Sequence, residues 1–214
     1  MIKNKQKRLG DIWGKVPLDY YQRGVKNNFL QRLWHAEKTS KLKKIIGDQK
    51  PKSILDVGCA SGYMTNEIAL MFPKSKTVGI DVYSKAVKAA QKRYPEVTFK
   101  CADAHSLPFP TNRFDLVVSY ETIEHVINPR IFLKEIKRVM KKDGVAVVVM
   151  DSGNWLFRAV WFIWERTKGK VWRGAHLHPF HHKKLEKLIR SCGFRIESKI
   201  FTHIGMEVVF VLKK

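Results

Sequence analysis

The feature that most constrains this chain is an apolar segment that runs directly into a glycine-containing turn. Residues 53–62 read SILDVGCASG, with Gly58 and Gly62 in the turn. A chain that ends a buried strand, reverses tightly and enters a helix leaves unpaired N–H groups at the helix N-terminus, where a polar ligand can bind. Glycine also lets the backbone approach such a ligand closely. The segment therefore predicts a strand, a ligand-binding turn and a helix within an α/β sheet.

Single acidic residues end the next two strand-like segments. Asp81 closes TVGID, and Asp103 closes VTFKCAD. An acid at the end of the second strand, about 20 residues beyond the turn, can accept hydrogen bonds from ribose hydroxyls. Ligands of open α/β sheets bind outside the carboxyl ends of the strands. The three features together predict one nucleoside-binding crevice, and the missing GxGxxG spacing argues against a dinucleotide.

The rest of the chain alternates strands with helices, as a parallel sheet with crossover helices requires. We predict strands at 53–57, 77–81, 97–101, 115–119 and 145–150. Helices are expected at 63–71, from a capping Ser84 to Arg93, from Pro129 to Lys141, and at 183–192. Two last strands, 195–201 and 206–212, are joined so closely that they should form an antiparallel hairpin.

Four motifs in this order resemble a known family. The segments DVGCASG, GID, CADAHSLPF and FDLVVSYETIEHV resemble the class I S-adenosylmethionine-dependent methyltransferases, close to the small-molecule group that includes the quinone-biosynthesis enzymes. The resemblance is specific over residues 50–151. It implies a doubly wound, Rossmann-like sheet of seven strands, mostly parallel with the last antiparallel. It also implies N-terminal helices over the crevice, an inserted lid helix, and S-adenosyl-L-methionine as cofactor.

The resemblance also assigns roles to residues of the crevice. Asp56 and the turn would hold the methionine part of the cofactor, Asp81 the ribose, Asp103 the adenine, and Tyr120 would lie beside the methyl group. The full cofactor-binding set is Asp56, Gly58, Cys59, Ala60, Gly62, Asp81, Val82, Asp103, Ala104 and Tyr120. Ala60 replaces a glycine that is usual in the family. Because alanine disfavours positive φ, we expect an ordinary backbone there.

Length and composition fit a single enzyme domain of 214 residues, 44% of them apolar. We predict an N-terminal helical cap (1–50), a cofactor-binding core (51–151), a substrate-side insertion (152–182), and a final helix with a strand hairpin (183–214). Three widely spaced cysteines suggest neither a disulfide framework nor a zinc site. No segment resembles a signal peptide or a membrane span, so we predict a cytoplasmic protein.

Positive charge is concentrated in the flanks of the chain. The net charge is +22, and residues 1–50 have 13 basic and 4 acidic side chains, while residues 165–214 have 12 and 4. Such a field favours an anionic partner: a phosphorylated or carboxylated substrate, an anionic lipid surface, or nucleic acid. Simple solubility is the alternative explanation.

The insertion is rich in tryptophan. Its segment NWLFRAVWFIWERTKGKVWRG contains Trp155, Trp161, Trp164 and Trp172 among basic residues. As a helix it would be apolar over so broad an arc that it could not face water on most sides. Three arrangements satisfy this: a lid over an apolar substrate, insertion into a membrane interface, or packing against the N-terminal helices.

Histidines cluster in HLHPFHH, at His176, His178, His181 and His182. We expect no metal site, because neighbouring His181 and His182 would point in different directions at the start of a helix. A phosphate or carboxylate contact, or an ordinary surface location, is the expected role. His125, just past the fourth strand, is either a proton acceptor near the methyl group or a packed residue. No catalytic residue is assigned.

These observations predict a methyltransferase that acts on a small-molecule or lipid-like acceptor, with contact to an anionic membrane surface as an added option. One alternative is an RNA methyltransferase that uses the basic flanks, although the NPPY-type tetrapeptide of base-amino methylases is absent where SYETIEHV stands. Another is a non-catalytic protein that only binds the cofactor. The oligomeric state is not predicted.

Overall fold

The structure is a computed structural model that describes residues 9–167 and 169–214. Residues 1–8 of the predicted cap and residue 168 of the predicted insertion lie outside this description. Residues 9–13 are helical and precede two N-terminal helices. The helices are α1 (Tyr20–Asn27), α2 (Phe29–Ile46), α3 (Tyr63–Met71), α4 (Ser84–Arg93), α5 (Pro129–Val139), α6 (Trp155–Arg166) and α7 (His182–Ser191). The strands are β1 (Ser53–Val57), β2 (Lys76–Asp81), β3 (Thr98–Cys101), β4 (Phe114–Tyr120), β5 (Met140–Asp151), β6 (Arg195–Thr202) and β7 (Glu207–Lys213).

All seven strands form one sheet in the order β3-β2-β1-β4-β5-β7-β6. The pairs among β1 to β5 are parallel, whereas β7 is antiparallel to both β5 and β6. The predicted doubly wound sheet, with only its last strand reversed, is confirmed. The strand order changes direction at β1, between β2 and β4, and ligands of such sheets bind at this position.

Apolar side chains cover both faces of the sheet. On one face, Phe132 and Ile136 of α5 and Ile189 of α7 are fully buried against it. On the other face, Leu42 of α2 and Ile68 of α3 pack against the buried residues of β1, β4 and β5. The sheet is therefore a rigid centre, and its carboxyl edge is held in place by packing on both sides.

Two predicted features of the chain are corrected. The helix that begins at Pro129 ends at Val139 instead of Lys141, because Met140 already pairs with Phe114 as the first residue of β5. A shift of register follows before Leu116 pairs with Val145. Ser84 is not the N-cap of α4 but its first helical residue. The N-cap position is occupied by Tyr83, whose side chain forms no capping hydrogen bond.

No helix in the described ranges is both long enough and apolar enough to cross a lipid bilayer.

Candidate functional site

The glycine turn after β1 is held against the end of β2. The N–H groups of Gly58 and Cys59 both donate to the carbonyl of Ile80, at 2.8 and 2.9 Å. Gly58 has φ of 88°, and a Cβ at this position would lie 2.2 Å from the Thr122 hydroxyl. Gly62 has φ of 82°, and a Cβ there would meet Phe99 at 2.7 Å. Both positions therefore require glycine, for conformation and for space.

Ala60 contradicts the expectation of an ordinary backbone. Its φ is 45°, in the left-handed region. The conformation costs about 1–2 kcal/mol for a residue with a Cβ. The Ala60 N–H donates to Asp81 Oδ2 at 2.9 Å, and this bond to a partly buried carboxylate offsets the cost. Ala60 therefore adopts a backbone conformation that usually favours glycine.

Asp81 links the two strand ends. Its Oδ2 accepts the hydrogen bond from the Ala60 N–H, and its Oδ1 accepts a second one, of 2.8 Å, from the Tyr83 N–H. Burial raises the pKa of Asp81, and these backbone donors oppose the rise. Each oxygen keeps a further lone pair with which to accept a ligand hydroxyl. The next residue of the predicted set, Val82, is 52% exposed at the rim.

Asp56, at the end of β1, points into the protein. It is 2% exposed, and its Oδ2 accepts a hydrogen bond of 2.6 Å from the Thr65 hydroxyl of α3. Burial raises the pKa of Asp56 to about 7; the Thr65 hydrogen bond opposes this rise and the charge of Asp81 adds to it. Asp56 therefore ties the strand to the helix that follows the turn.

Asp103 lies beyond β3 with a half-exposed side chain. Its Oδ1 accepts from the N–H of His105 at 2.9 Å and lies 2.6 Å from His105 Nδ1. Since His105 Nε2 accepts from the Asn128 N–H, the ring proton must be on Nδ1, facing Asp103. Sequence reasoning did not include His105 in the site. The remaining predicted residue of this loop, Ala104, is half-buried beside it.

Tyr120, the last residue of β4, is 9% exposed. The buried ammonium group of Lys38 in α2 lies 6.0 Å from the centre of its ring. Lys38 Nζ also lies 2.7 Å from Glu121 Oε1 and 3.1 Å from Glu207 Oε1. This network, which the sequence did not predict, fastens the N-terminal cap to the ends of β4 and β7. Glu121 adopts φ of 47° within it.

Gln22 of α1 lies directly over the glycine turn. Its side-chain amide donates to the Ser61 carbonyl at 3.4 Å and to the Tyr94 hydroxyl at 3.1 Å. Its own amide oxygen is buried without a hydrogen-bond partner. A buried acceptor without a partner is uncommon, which makes Gln22 a candidate for contact with a ligand that has a donor group. No motif in the sequence distinguishes Gln22 from its neighbours.

A second polar cluster lies next to these groups, beyond the ends of β4 and β5. It consists of Glu124 and His125, Asp151 at the end of β5, and His176 from the insertion. The His125 and His176 rings are 5.0 Å apart between centroids, and His176 Nε2 is 3.6 Å from Asp151 Oδ2. His125 Nδ1 bonds to the Ala175 carbonyl at 2.9 Å.

Burial dominates the acid–base properties of this cluster. It raises the pKa of Glu124 to about 8 and raises that of Asp151 well above its usual range. It lowers the pKa of His125, and it lowers that of His176 to about 3. The histidines are therefore neutral near pH 7, and each has a ring nitrogen with a free lone pair that can bind a ligand.

The other histidines of HLHPFHH are distributed differently than expected. His181 and His182 do not point apart: their ring centroids are 4.3 Å apart. His181 precedes α7 with an extended backbone and accepts from the Lys183 N–H, so the angular separation of consecutive helical residues does not apply. His178 Nε2 is 3.3 Å from the Ile127 carbonyl.

The predicted insertion helix, α6, is more exposed than the sequence suggested. None of its residues is fully buried, and Trp155 is 79% exposed. Its inner face is aromatic. The Trp161 ring stacks on the His176 ring with 4.5 Å between centroids, and its centroid lies 4.8 Å from that of Trp164. Trp172, farther along the insertion, meets Tyr20 of α1 at 5.7 Å. The insertion thus reaches both the histidine cluster and the N-terminal cap.

Comparison with known proteins agrees with this geometry. Residues 55–148 match a family described as "Methyltransferase domain". The chain is 32% identical over 160 residues to the malonyl-(acyl-carrier protein) O-methyltransferase of Legionella pneumophila, covering 67% of this chain and 54% of the relative. It is 29% identical over 159 residues to the demethylmenaquinone methyltransferase of Lactococcus lactis, covering 71% and 62%.

A solved structure shares the fold. The SAM-dependent methyltransferase of Aquifex aeolicus aligns with a TM-score of 0.65 at 18% identity, over 81% of this chain and 88% of that one. This chain thus contains a class I S-adenosylmethionine-dependent methyltransferase domain, which is the class that the resemblance of its four sequence motifs implies. The chain spans about half the length of the first curated relatives it matches.

Proposed function

We propose that this chain transfers the methyl group of S-adenosyl-L-methionine to a small-molecule or lipid-like acceptor. The observation that supports this most directly is the hydrogen bond from the Ala60 N–H to Asp81 Oδ2. It joins the glycine turn and the ribose-binding acid into one unit at the carboxyl edge of the sheet. We assign the acceptor to the partly buried cluster of His125 and His176, beyond the ends of β4 and β5.

The residues of the turn fit this cofactor by their chemistry. Asp81 offers lone pairs to ribose hydroxyls, and the free Gln22 oxygen offers an acceptor to an ammonium group. The first turn of α3 has no side-chain cap, so its N–H groups remain available to a carboxylate. Asp103 and Ala104 are assigned to the adenine, and Gly58, Cys59, Gly62, Val82 and Tyr120 to the walls. When bound, the cofactor supplies the reactive methyl sulfonium.

The protein's own contribution is alignment and exclusion of water. Near-attack positioning alone can account for about 7–11 kcal/mol of a reaction barrier. We assign the enclosure of the acceptor to the N-terminal cap (1–50) and the insertion (152–182), around the core (51–151) and the final segment (183–214). The contact of Tyr20 with Trp172 supports this organisation. For a hydroxyl acceptor we assign His125 as the proton acceptor in preference to His176, because burial lowers the pKa of His176 to about 3, far below the value that suits a general base near neutral pH.

Calorimetry with S-adenosylmethionine and its demethylated product tests the proposal. We expect both to bind, and Asp81→Ala to weaken binding about 100-fold, because hydrogen bonds to a charged group each contribute roughly 1.5–3 kcal/mol. Asp143→Ala, an exposed acid at the start of β5, is the matched control and should bind normally. Unchanged affinity in Asp81→Ala would refute the assignment. Binding without methyl transfer to any acceptor would favour the non-catalytic alternative.

We further propose that the domain works at an anionic membrane surface. Exposed apolar residues from three segments supply the contact: Phe29, Leu30 and Leu33 of α2, Ile204, and Trp155 of α6. We call these five residues the apolar rim. Interfacial proteins combine such residues with basic neighbours, and the net charge of +22 supplies the attraction to anionic lipid.

Contacts between the three segments support treating them as one surface. The Trp34 ring of α2 stacks on His203 at 3.7 Å, and the Asn154 amide before α6 donates to the Gly205 carbonyl at 2.7 Å. Ile204 stands between these two contacts, 88% exposed, with φ of 57°. That conformation is strained for a β-branched residue, and strain of this kind is concentrated at functional sites.

Co-sedimentation with liposomes tests the surface. We expect binding to vesicles that contain anionic lipid, and loss of binding in the double variant Trp155→Ser and Ile204→Ser. Leu70→Ser, which removes an apolar residue of α3 that is also largely exposed, should bind normally. Equal binding by all three proteins, or no binding to either kind of vesicle, would disprove the membrane contact. Competition by RNA at low salt would instead favour the nucleic-acid alternative. The cytoplasmic location stays a prediction.

A further inference from the structure

Three side chains of the second cluster have the arrangement of metal ligands. Glu124, His125 and His176 each offer one ligand atom, and these atoms all lie within 4.8 Å of one another. Zinc bonds of about 2.0–2.1 Å place neighbouring ligand atoms roughly 3.3 Å apart. The distances between the three ligand atoms therefore need to shorten by no more than about 1.5 Å, which side-chain rotations can provide.

The backbone around the cluster is built to hold these side chains. The N–H groups of Leu177 and His178 both donate to the Glu124 carbonyl, each at 3.0 Å. Together with the bond from His125 to the Ala175 carbonyl, they fasten the insertion on both sides of His176. Two segments far apart in the chain are thus fixed against each other where the three ligand atoms meet.

The hydrogen bond of His125 also sets its tautomer. Its partner, the Ala175 carbonyl, can only accept, so His125 Nδ1 must hold the ring proton. The other nitrogen, Nε2, is then unprotonated, which is the form that binds a metal ion. Metal-binding histidines commonly donate their second N–H to a backbone carbonyl in this way.

The buried Glu124 carboxyl group has no hydrogen-bond or ion-pair partner among the described residues. It is 2% exposed, and neither of its carboxylate oxygens has a hydrogen-bond partner. Among the described residues, no lysine or arginine forms an ion pair with Glu124 or with nearby Asp151, whereas Glu121 and Glu207 share Lys38. A buried carboxylate without a partner is costly, and a bound ion is one arrangement that removes this cost.

We propose that Glu124, His125 and His176 bind a divalent transition-metal ion. Two imidazole nitrogens and one carboxylate suit Zn²⁺ and ions of similar preference, whereas Mg²⁺ and Ca²⁺ favour all-oxygen sites. Asp151, 3.6 Å from His176 Nε2, adds negative charge beside the ion. The prediction of no metal considered His181 and His182; the proposed site uses His176 and two residues from the loop after β4.

The ion would join the insertion to the core at the acceptor side of the crevice. Three protein ligands leave a fourth position of a tetrahedral ion open, and an acceptor oxygen could occupy it. This last role rests on the proposed function, whereas ion binding itself does not.

Titration of the metal-free chain tests the site. Protein prepared without a histidine tag and dialysed against a chelator should bind one Zn²⁺ per chain by calorimetry and gain thermal stability. With Co²⁺ in its place, visible absorption bands should report nitrogen ligation. Glu124→Gln, which preserves shape, and His176→Ala should each weaken binding at least tenfold. His178→Ala, from the same loop but outside the cluster, should bind as the original chain does.

The outcomes separate this proposal from the methyltransferase assignment. No stoichiometric ion, or equal affinity in Glu124→Gln, His176→Ala and His178→Ala, would overturn the metal site. A circular-dichroism spectrum of each variant verifies folding, and Glu124→Gln decides the matter if His176→Ala does not fold. Binding of S-adenosylmethionine by the same preparations is measured in parallel. Cofactor binding without ion binding removes only the metal site, and the reverse result removes only the proposed function.

Discussion

The two parts of the candidate site are built in different ways. At the cofactor edge, residues close in sequence to the ends of β1 and β2 are joined by backbone hydrogen bonds, as in the bonds of Gly58 and Cys59 to Ile80. At the acceptor side, side chains from distant segments meet, and Glu124 remains without a partner. The difference indicates that the turn edge is held together by backbone hydrogen bonds of its own, whereas the second cluster keeps a buried carboxyl group without a hydrogen-bond partner.

The largest effect is expected where the N-terminal cap is fastened to the acceptor side. Lys38→Met would leave the buried Glu207 and the partly exposed Glu121 without their cation, which should lower the free energy of unfolding by about 3–5 kcal/mol. Urea denaturation measures this, with Lys44→Met, an exposed residue of the same helix, as control. A loss below about 1 kcal/mol would show that the network contributes little.

Asp56, at the end of β1, should make the stability of the protein depend on pH. The pKa of Asp56 is raised to about 7, above the value near 3.9 of an unfolded chain. The folded state therefore binds more protons between these values, and stability should fall as pH rises through this window. Asp56→Asn, which still accepts from Thr65, should flatten the slope by up to about 1.4 kcal/mol per pH unit. Melting curves from pH 4 to pH 8 measure it, and an unchanged slope contradicts it.

A smaller effect, of opposite sign, is expected at Ala60. Ala60→Gly should relieve the positive φ and raise the free energy of unfolding by up to about 1 kcal/mol, because the left-handed penalty exceeds the entropy cost of glycine. Ala69→Gly, within α3, should lower it by a similar amount. Destabilisation by both changes would mean that Ala60 contributes through its methyl group.

The smallest effect should come from the apolar rim. Trp155→Ala is expected to change the free energy of unfolding by less than about 0.5 kcal/mol, because the side chain is 79% exposed. Trp161→Ala should cost more, since its ring stacks on His176. Chemical denaturation of both variants measures the difference. Equal losses would show that the outer and inner faces of α6 are packed alike.

The sequence determined the cofactor edge and the sheet because both depend on short stretches of chain. A strand, a glycine turn, a helix and an acid at each strand end are local patterns, and the parallel sheet brings their ends together. Gly58, Gly62 and Asp81 could therefore be placed from their spacing alone. The hairpin of β6 and β7 was predictable for the same reason, since a short loop permits only an antiparallel pair.

Tertiary structure alone decided the rest. Gln22 over the turn, Lys38 between Glu121 and Glu207, and His176 against Glu124 are contacts between segments dozens of residues apart, and no local pattern encodes which side chains meet. The positive φ of Ala60 depends equally on a distant acceptor, Asp81. Helix α6 shows what composition does not determine. Its composition showed that it is apolar, but only packing determined that Trp161 covers His176 while Trp155 faces outward.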